Sequence, residues 1–268
     1  MAVALLRTVA DQRAPGDFTG LAGDYEKYRP GYCPDVVKAI VSLLSQPADQ
    51  SDAADVGAGT GIFTRLLARQ GFRQVTAVEP NDDMRREGKK ATGGTSIQWR
   101  AGQGEKTGLA DQSVDLLTMA SSFHWVDFAR GTEEFHRVLR PAGCFAALWN
   151  PRLLEANPLL VEIEAKARAM AGDSSRVSSG MSGRAEQMNR LFEHSTLFGE
   201  PIYMEGRHTV KFTPDAYLGV WRSVNDWRVK LGPDGFADFL NFVAERIAGL
   251  EFIETTYLTR AWVVRKAC

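Results

Sequence analysis

The chain has 268 residues, 44% of them hydrophobic and 24% charged, enough to bury one sizeable core as a single large domain or as a domain with an insertion. Lys and Arg number 32 against 33 Asp and Glu, a formal net charge of -1. That balance excludes an overall electrostatic pull toward nucleic acid or an anionic membrane and makes a small molecule the default ligand.

In chain order, the apolar run at residues 2–6 is too short for a signal-peptide core or a membrane span, and Arg7 and Asp11 follow closely, so neither export nor insertion is expected. The spacing predicts a helix over 36–44, an apolar strand running into Val56, a turn at 57–61 and a helix over 63–69. A strand at 75–78, a helix after Pro80, strands at 97–99 and 114–120 and a helix at 127–139 continue the pattern. Arg140-Pro141-Ala142-Gly143 stops that helix, and 144–149 reads as a fifth buried strand. Strands separated by helices imply a mainly parallel sheet. After Pro151 the pattern turns helical, broken by a small polar run at 173–180 that is expected to connect flexibly. Strand-like stretches at 202–212 and 255–264 are expected to close the sheet. Cys33, Cys144 and Cys268 lack the paired short spacings of zinc sites or disulfide frameworks, so no metal and a reducing cytoplasm are expected.

The glycines of Gly57-Ala58-Gly59-Thr60-Gly61 let the chain turn sharply from strand to helix and keep side chains from between the backbone and a flat or extended ligand. A dinucleotide site prefers GxGxxG, whereas this turn reads GxGxG. Glu79, eighteen residues after Gly61, stands where a carboxylate can accept from both hydroxyls of a ribose, which suits an adenosine without pyrophosphate. The plainer alternatives are a glycine turn without a ligand and an exposed acid opening the helix at Pro80.

Phe123-His124-Trp125 falls just after the 114–120 strand, at the carboxyl edge where open α/β sheets place their ligands. Aromatic faces there can stabilise a cation, and His124 can take a proton from an amine or hydroxyl, although a hydrogen-bonded structural histidine explains it equally well. His136 reads as helix-face packing, and His194 and His208 have no convincing partners. Tyr217, Trp221, Trp227, Phe236, Phe239 and Phe242 recur at helical spacings and read first as core. Arg152, Arg222 and Arg228 suit either an anionic acceptor or a solvated basic face.

Together the DxGxGTG turn from Asp55, Glu79 in Val78-Glu79-Pro80, Gly104-Glu105 before Leu109, and Ser122-Phe123-His124-Trp125 resemble class I S-adenosylmethionine-dependent methyltransferases. The nearest group is the trans-aconitate methyltransferase-like (methyltransferase type 11) one. The resemblance covers about residues 20–152, with a weaker echo in Phe212-Thr213-Pro214 and the last strand. It implies an α/β fold with a Rossmann-like, seven-stranded, mostly parallel sheet, helices on both faces and a helical substrate-lid insertion before the last two strands. One domain over 1–268 then divides into an N-terminal lid (1–33), a cofactor-binding core (34–152), a helical lid (153–250) interrupted by a strand at 201–212, and a closing strand (251–268).

Carried over by position, the resemblance puts Asp55 and the Gly57 backbone at the methionine amino group of S-adenosylmethionine, with Ala58, Gly59 and Thr60 completing the turn. Glu79 and Pro80 fall at the ribose, and Gln103, Gly104 and Glu105 beside the adenine, flanked by Asn81 or Met84. Gln103-Gly104 departs from the family's small or acidic residue followed by alanine. Tyr25-Glu26-Lys27-Tyr28-Arg29-Pro30-Gly31-Tyr32 resembles an N-terminal lid in which a tyrosine covers the site and Arg29 approaches the cofactor carboxylate; simple packing of the tyrosines competes with that reading. Ser121 and Phe123 complete the cofactor set, and Phe123, His124, Trp125, Arg152 and Trp221 form the acceptor set. His124 is the first catalytic candidate, then Tyr25 and Tyr28. The implied activity is direct in-line methyl transfer to the nitrogen or oxygen of a small molecule of specialised metabolism, by a soluble cytoplasmic monomer or homodimer. An NAD(P)-dependent oxidoreductase and a non-catalytic adenosylmethionine-binding protein are the competing readings.

Overall fold

Short runs of small and branched residues make the central strands, because a strand covered on both faces has no solvent side for charged groups. In the computed structural model, which describes residues 19–172, 184–193 and 195–267, these are β1 (Asp52–Val56), β2 (Gln74–Val78) and β4 (Val114–Ala120). With β3 (Gln98–Arg100), β5 (Leu139–Trp149), β6 (Ile202–Phe212) and β7 (Ile253–Arg265) they form one seven-stranded sheet among the described residues. The order is β3-β2-β1-β4-β5-β7-β6, with β1 to β5 parallel and β7 antiparallel to both β5 and β6. The apolar run at 2–6, the polar run at 173–180, His194 and Cys268 lie outside the described residues.

The period of two along β5 shows how one strand serves two cores. Cys144, Ala146 and Leu148 pack with Val36, Val37, Ile40, Phe63 and Leu67 on one face. Phe145, Ala147 and Trp149 pack with Phe135, Phe192 and Trp262 on the other. The helices over these faces are α2 (Pro34–Ser42) and α3 (Ile62–Ala68) on the first, and α5 (Phe128–Val138) and α7 (Arg184–Glu193) on the second. Helix α4 (Asp82–Ala91) is capped by Asn81, whose side chain accepts the Asp83 and Met84 N–H groups, each at 3.0 Å.

One sequence expectation needs correction. The segment expected to break between helix and strand at 140–143 instead belongs to β5, which starts at Leu139 directly after α5. Leu139 pairs with Val114 and Cys144 with Leu116, so the extra residues bulge out, with Ala142 at φ 62°. The helical insertion falls on both sides of β6, which occupies the position of the strand expected at 201–212. Helices α6 (Pro158–Met170) and α7 precede β6, whereas α8 (Pro214–Arg222) and α9 (Asn225–Ile247, kinked at Gly232 and Pro233) join β6 to β7. Tyr217, Trp221, Trp227, Phe236 and Phe239 form a buried third core there, with Phe242 packed against it, as their helical spacing suggests.

The N-terminal segment is tied down at both ends of α1 (Ala22–Tyr28). Gly20 donates to Asp83 on α4, and Glu26 pairs with Arg65 on α3 at 2.8 Å. The Thr259 hydroxyl accepts the Cys33 N–H and donates to Asn150, whose amide donates to the Gly31 carbonyl. This segment therefore crosses over the carboxyl edge of the parallel strands. No described helix is long and apolar enough to cross a membrane.

Candidate active site

The glycine turn connects β1 to α3. Gly57 has φ +67°, and a Cβ there would lie 2.6 Å from the Cβ of Ser122, so only glycine lets this turn approach the end of β4. Gly61, at φ +82°, starts α3 against Trp99, whose ring would stand 2.9 Å from an added Cβ. Gly57 and Ala58 both donate to the Val78 carbonyl, which fastens the turn to β2.

Glu79 follows β2 and is buried. Its Oε2 accepts the Gly59 N–H at 2.7 Å and its Oε1 the Asn81 N–H at 2.8 Å, so it spans the glycine turn and the cap of α4. Burial raises its pKa, and the two backbone N–H groups pull the other way. Asp55 lies beneath the turn, 1% exposed, with Oδ2 taking the Thr64 hydroxyl at 2.6 Å and Oδ1 the Thr118 hydroxyl at 2.9 Å. Burial pushes its pKa up to about 6 against those two hydrogen bonds, with Glu79 adding to the rise.

A cavity of about 630 Å³ opens along this edge. Around the turn it is lined by Tyr25, Arg29, Gly57, Ala58 and Gly59, and farther along by Glu79, Pro80, Asn81 and Met84. Gln103, Gly104 and Glu105 form another wall, and Ser121, His124, Trp125 and Arg152 line its course beyond β4 and β5. These sequence-predicted residues are brought together in space.

Five others are not on the cavity wall. Asp55 and Thr60 are buried under the turn. Phe123 points into the core, 5.1 Å from the Phe145 ring centroid. Tyr28 lies on Gly219 of α8 and donates to Asp215 at 3.4 Å. Trp221 is fully buried in the helical core beneath the Arg152 guanidinium, 4.3 Å away. On the turn at 123–125 neighbours in sequence face different directions, so His124 reaches the cavity while Phe123 faces the core.

The departure at Gln103-Gly104 has a packing cause. A Cβ on Gly104 would lie 2.4 Å from Cγ2 of buried Val126, so the valine occupies the space an alanine would need. Glu105 accepts the Asp127 N–H at 2.8 Å and links this wall to the start of α5.

Contacts between elements fix the rest of the wall. The Tyr32 hydroxyl is 3.0 Å from Ser121 Oγ, and burial pushes its phenol above the ordinary value. Ser121 has φ 56°, an uncommon conformation for a residue with a Cβ and one that clusters at functional sites. The far end is made by Leu154, Glu164, Val220, Val224 and Asn225 of the lid, with Tyr257 of β7. Arg152 bonds Glu164 at 3.0 Å with side chains 9% and 6% exposed, a paired charge inside the wall. Arg29 gives its Nε to the Ser223 hydroxyl and Nη2 to the Ser223 carbonyl, at 2.9 and 3.2 Å, and stacks on Tyr25, so it clamps α1 to the end of α8 beside the cavity. The Trp149 indole donates to Nδ1 of His124 at 3.3 Å.

Residues 54–147 match the family model described as a methyltransferase domain. An uncharacterised methyltransferase of Mycobacterium tuberculosis is 37% identical over 135 residues, covering 50% of this chain and 52% of that protein. A ubiquinone/menaquinone biosynthesis C-methyltransferase of Rubrivivax gelatinosus is 35% identical over 108 residues, 39% of this chain and 41% of that protein. The aligned stretch thus spans about half the length of the first curated relatives it matches. Among solved structures, a candidate type II methyltransferase from Anaeromyxobacter dehalogenans superposes with a TM-score of 0.62 at 24% identity, over 89% of this chain and 98% of that one. The likeness holds at the level of the class; nothing in it singles out the trans-aconitate group.

Proposed function

We propose that this chain, whose residues 54–147 match a methyltransferase domain, moves a methyl group from S-adenosylmethionine to a nitrogen or oxygen of a small-molecule acceptor. The observation that carries the proposal is one continuous cavity with two differently built ends. One end has open backbone at Gly57 and Gly59 beside the Glu79 carboxylate; the other is a chamber of lid side chains around Arg152 and Tyr257.

The residues at the first end fit the cofactor. An ionised carboxylate offers about four lone-pair positions, and two of Glu79's are used by Gly59 and Asn81, which leaves acceptor capacity for ribose hydroxyls. Gln103, Gly104, Glu105 and Met84 line the same cavity as Glu79, which supports their assignment to the adenine. Asp55 and Glu79 are two buried carboxylates that a cationic ligand would help keep ionised. When bound, S-adenosylmethionine supplies an electrophilic methyl on a positively charged sulfur. Tyr25, Tyr32 and Trp125 offer aromatic walls suited to that charge, and the N-terminal segment and lid helices shield the acceptor from water. Positioning two reactants in near-attack geometry is worth about 7 to 11 kcal/mol, so the shape of the chamber is the main catalytic device. Tyr25 and His124 are the polar candidates at the reacting end, and Tyr28 is set aside because it faces α8.

The test is a screen of carboxylic acids, phenols, amines and nitrogen heterocycles with methyl-labelled cofactor, followed by mass spectrometry. Label in an N- or O-methyl product is expected. A carbon-methylated product would correct the acceptor atom. Cofactor binding without transfer to any class would leave a binding protein instead of an enzyme.

A further inference from the structure

Trp149 ends β5 and is 2% exposed. Its indole nitrogen lies 3.3 Å from Nδ1 of His124, a residue of the cavity wall. An indole N–H only donates, so the ring nitrogen it meets must present a lone pair. A neutral imidazole has one N–H, which must then be on Nε2. We propose that Trp149 is a positioning residue that holds His124 in its Nε2–H form, which bars the imidazole from taking the methyl acceptor's proton at Nε2.

The surroundings favour a fixed ring. Trp125 lies against the imidazole at 4.6 Å between centroids, tilted by 50°. Trp262, edge-on to Trp149 at 5.6 Å, spends its own N–H on Asn189 at 3.0 Å and does not compete for the histidine. For Nε2 to take the acceptor's proton, the neutral ring must carry its own proton on Nδ1, and that N–H would face the Trp149 N–H, donor against donor. For Nδ1 to take one, the indole contact must be lost. The acceptor class this geometry suits carries an oxygen that is already ionised, a carboxylate or an acidic phenol, because such an acceptor needs no base to remove a proton. The inference rests on the methyltransferase reading for its consequence, and on Trp149 and His124 for its content.

The experiment is two-bond nitrogen–proton correlation spectroscopy on protein labelled with 15N-histidine. His124 is assigned among the four histidines by comparison with His124→Gln. At neutral pH the wild-type spectrum should show an unprotonated Nδ1 and a protonated Nε2, and Trp149→Phe should shift the ring toward a mixture or toward Nδ1–H. A protonated Nδ1 in the wild type, or an unchanged pattern in a folded Trp149→Phe variant, overturns the proposal. If that variant does not fold, the wild-type spectrum still decides the tautomer. A titration with S-adenosylmethionine on the same sample separates the two claims: no binding removes the methyltransferase reading and leaves the tautomer standing, whereas binding with the opposite tautomer removes only the role of Trp149.

Discussion

Replacing Glu79 by Gln keeps the size of the side chain and removes its charge and one acceptor oxygen. The carboxylate takes N–H bonds from Gly59 at 2.7 Å and Asn81 at 2.8 Å, so an amide leaves one of those donors facing an NH2 group. A hydrogen bond to a charged acceptor contributes about 1.5 to 3 kcal/mol. Against that loss, the burial that raises the Glu79 pKa no longer opposes a charge, so the net change in folding stability is expected to stay below about 1.5 kcal/mol. Ligand binding has no such offset: one charge-assisted bond lost to the ribose weakens the cofactor by roughly ten- to a hundredfold. Calorimetric titration of S-adenosylmethionine and its demethylated product into both proteins measures this, with thermal melts alongside. A folded Glu79→Gln variant that binds the cofactor within twofold of wild type would refute the role given to Glu79.

Asp55 supplies a pH dependence. Its pKa is raised to about 6 by burial, so the folded state holds its proton more tightly than the unfolded state. Its contribution to stability is therefore greatest below about pH 4 and declines as pH rises through 6, by up to about 3 kcal/mol. The difference in melting temperature between wild type and Asp55→Asn should change in that direction from pH 4.5 to 7.5, and a flat difference would contradict it. Gly104→Ala should cost about 1 to 3 kcal/mol in denaturant unfolding because its Cβ meets Val126, and Val126→Ala in the same chain should restore most of the loss. Breaking the buried pair with Arg152→Met or Glu164→Gln alone should cost about 3 to 5 kcal/mol, whereas Arg152→Met with Glu164→Leu should cost less than either single change. His124→Ala should slow methyl transfer about tenfold to a hundredfold while cofactor affinity stays within twofold of wild type, measured by initial rates and calorimetry; equal rates would remove its role.

The alternation of strands and helices was legible because each central strand is short, apolar and bounded by turn residues, and the glycine turn because Gly57 and Gly61 meet Ser122 and Trp99 where no Cβ fits. Glu79 was legible from its place after β2. The inward orientation of Asp55 was not, because its partners belong to other elements: Thr64 to α3 and Thr118 to β4, where Asp55 and Thr118 are register partners in parallel strands. For the same reason the far wall escaped notice, since Glu164, Val224 and Tyr257 come from three separate segments that meet only after β7 has inserted between β5 and β6. The bulge in β5 hid behind Pro141 and Gly143, which in isolation read as a helix stop.

The central claim, that the cavity at the glycine turn holds S-adenosylmethionine, is tested most directly by calorimetric titration of the wild-type chain with S-adenosylmethionine and with NAD. Saturable one-to-one binding of S-adenosylmethionine that Glu79→Gln weakens, with NAD binding far more weakly, is the predicted result. Preferential binding of NAD would contradict it.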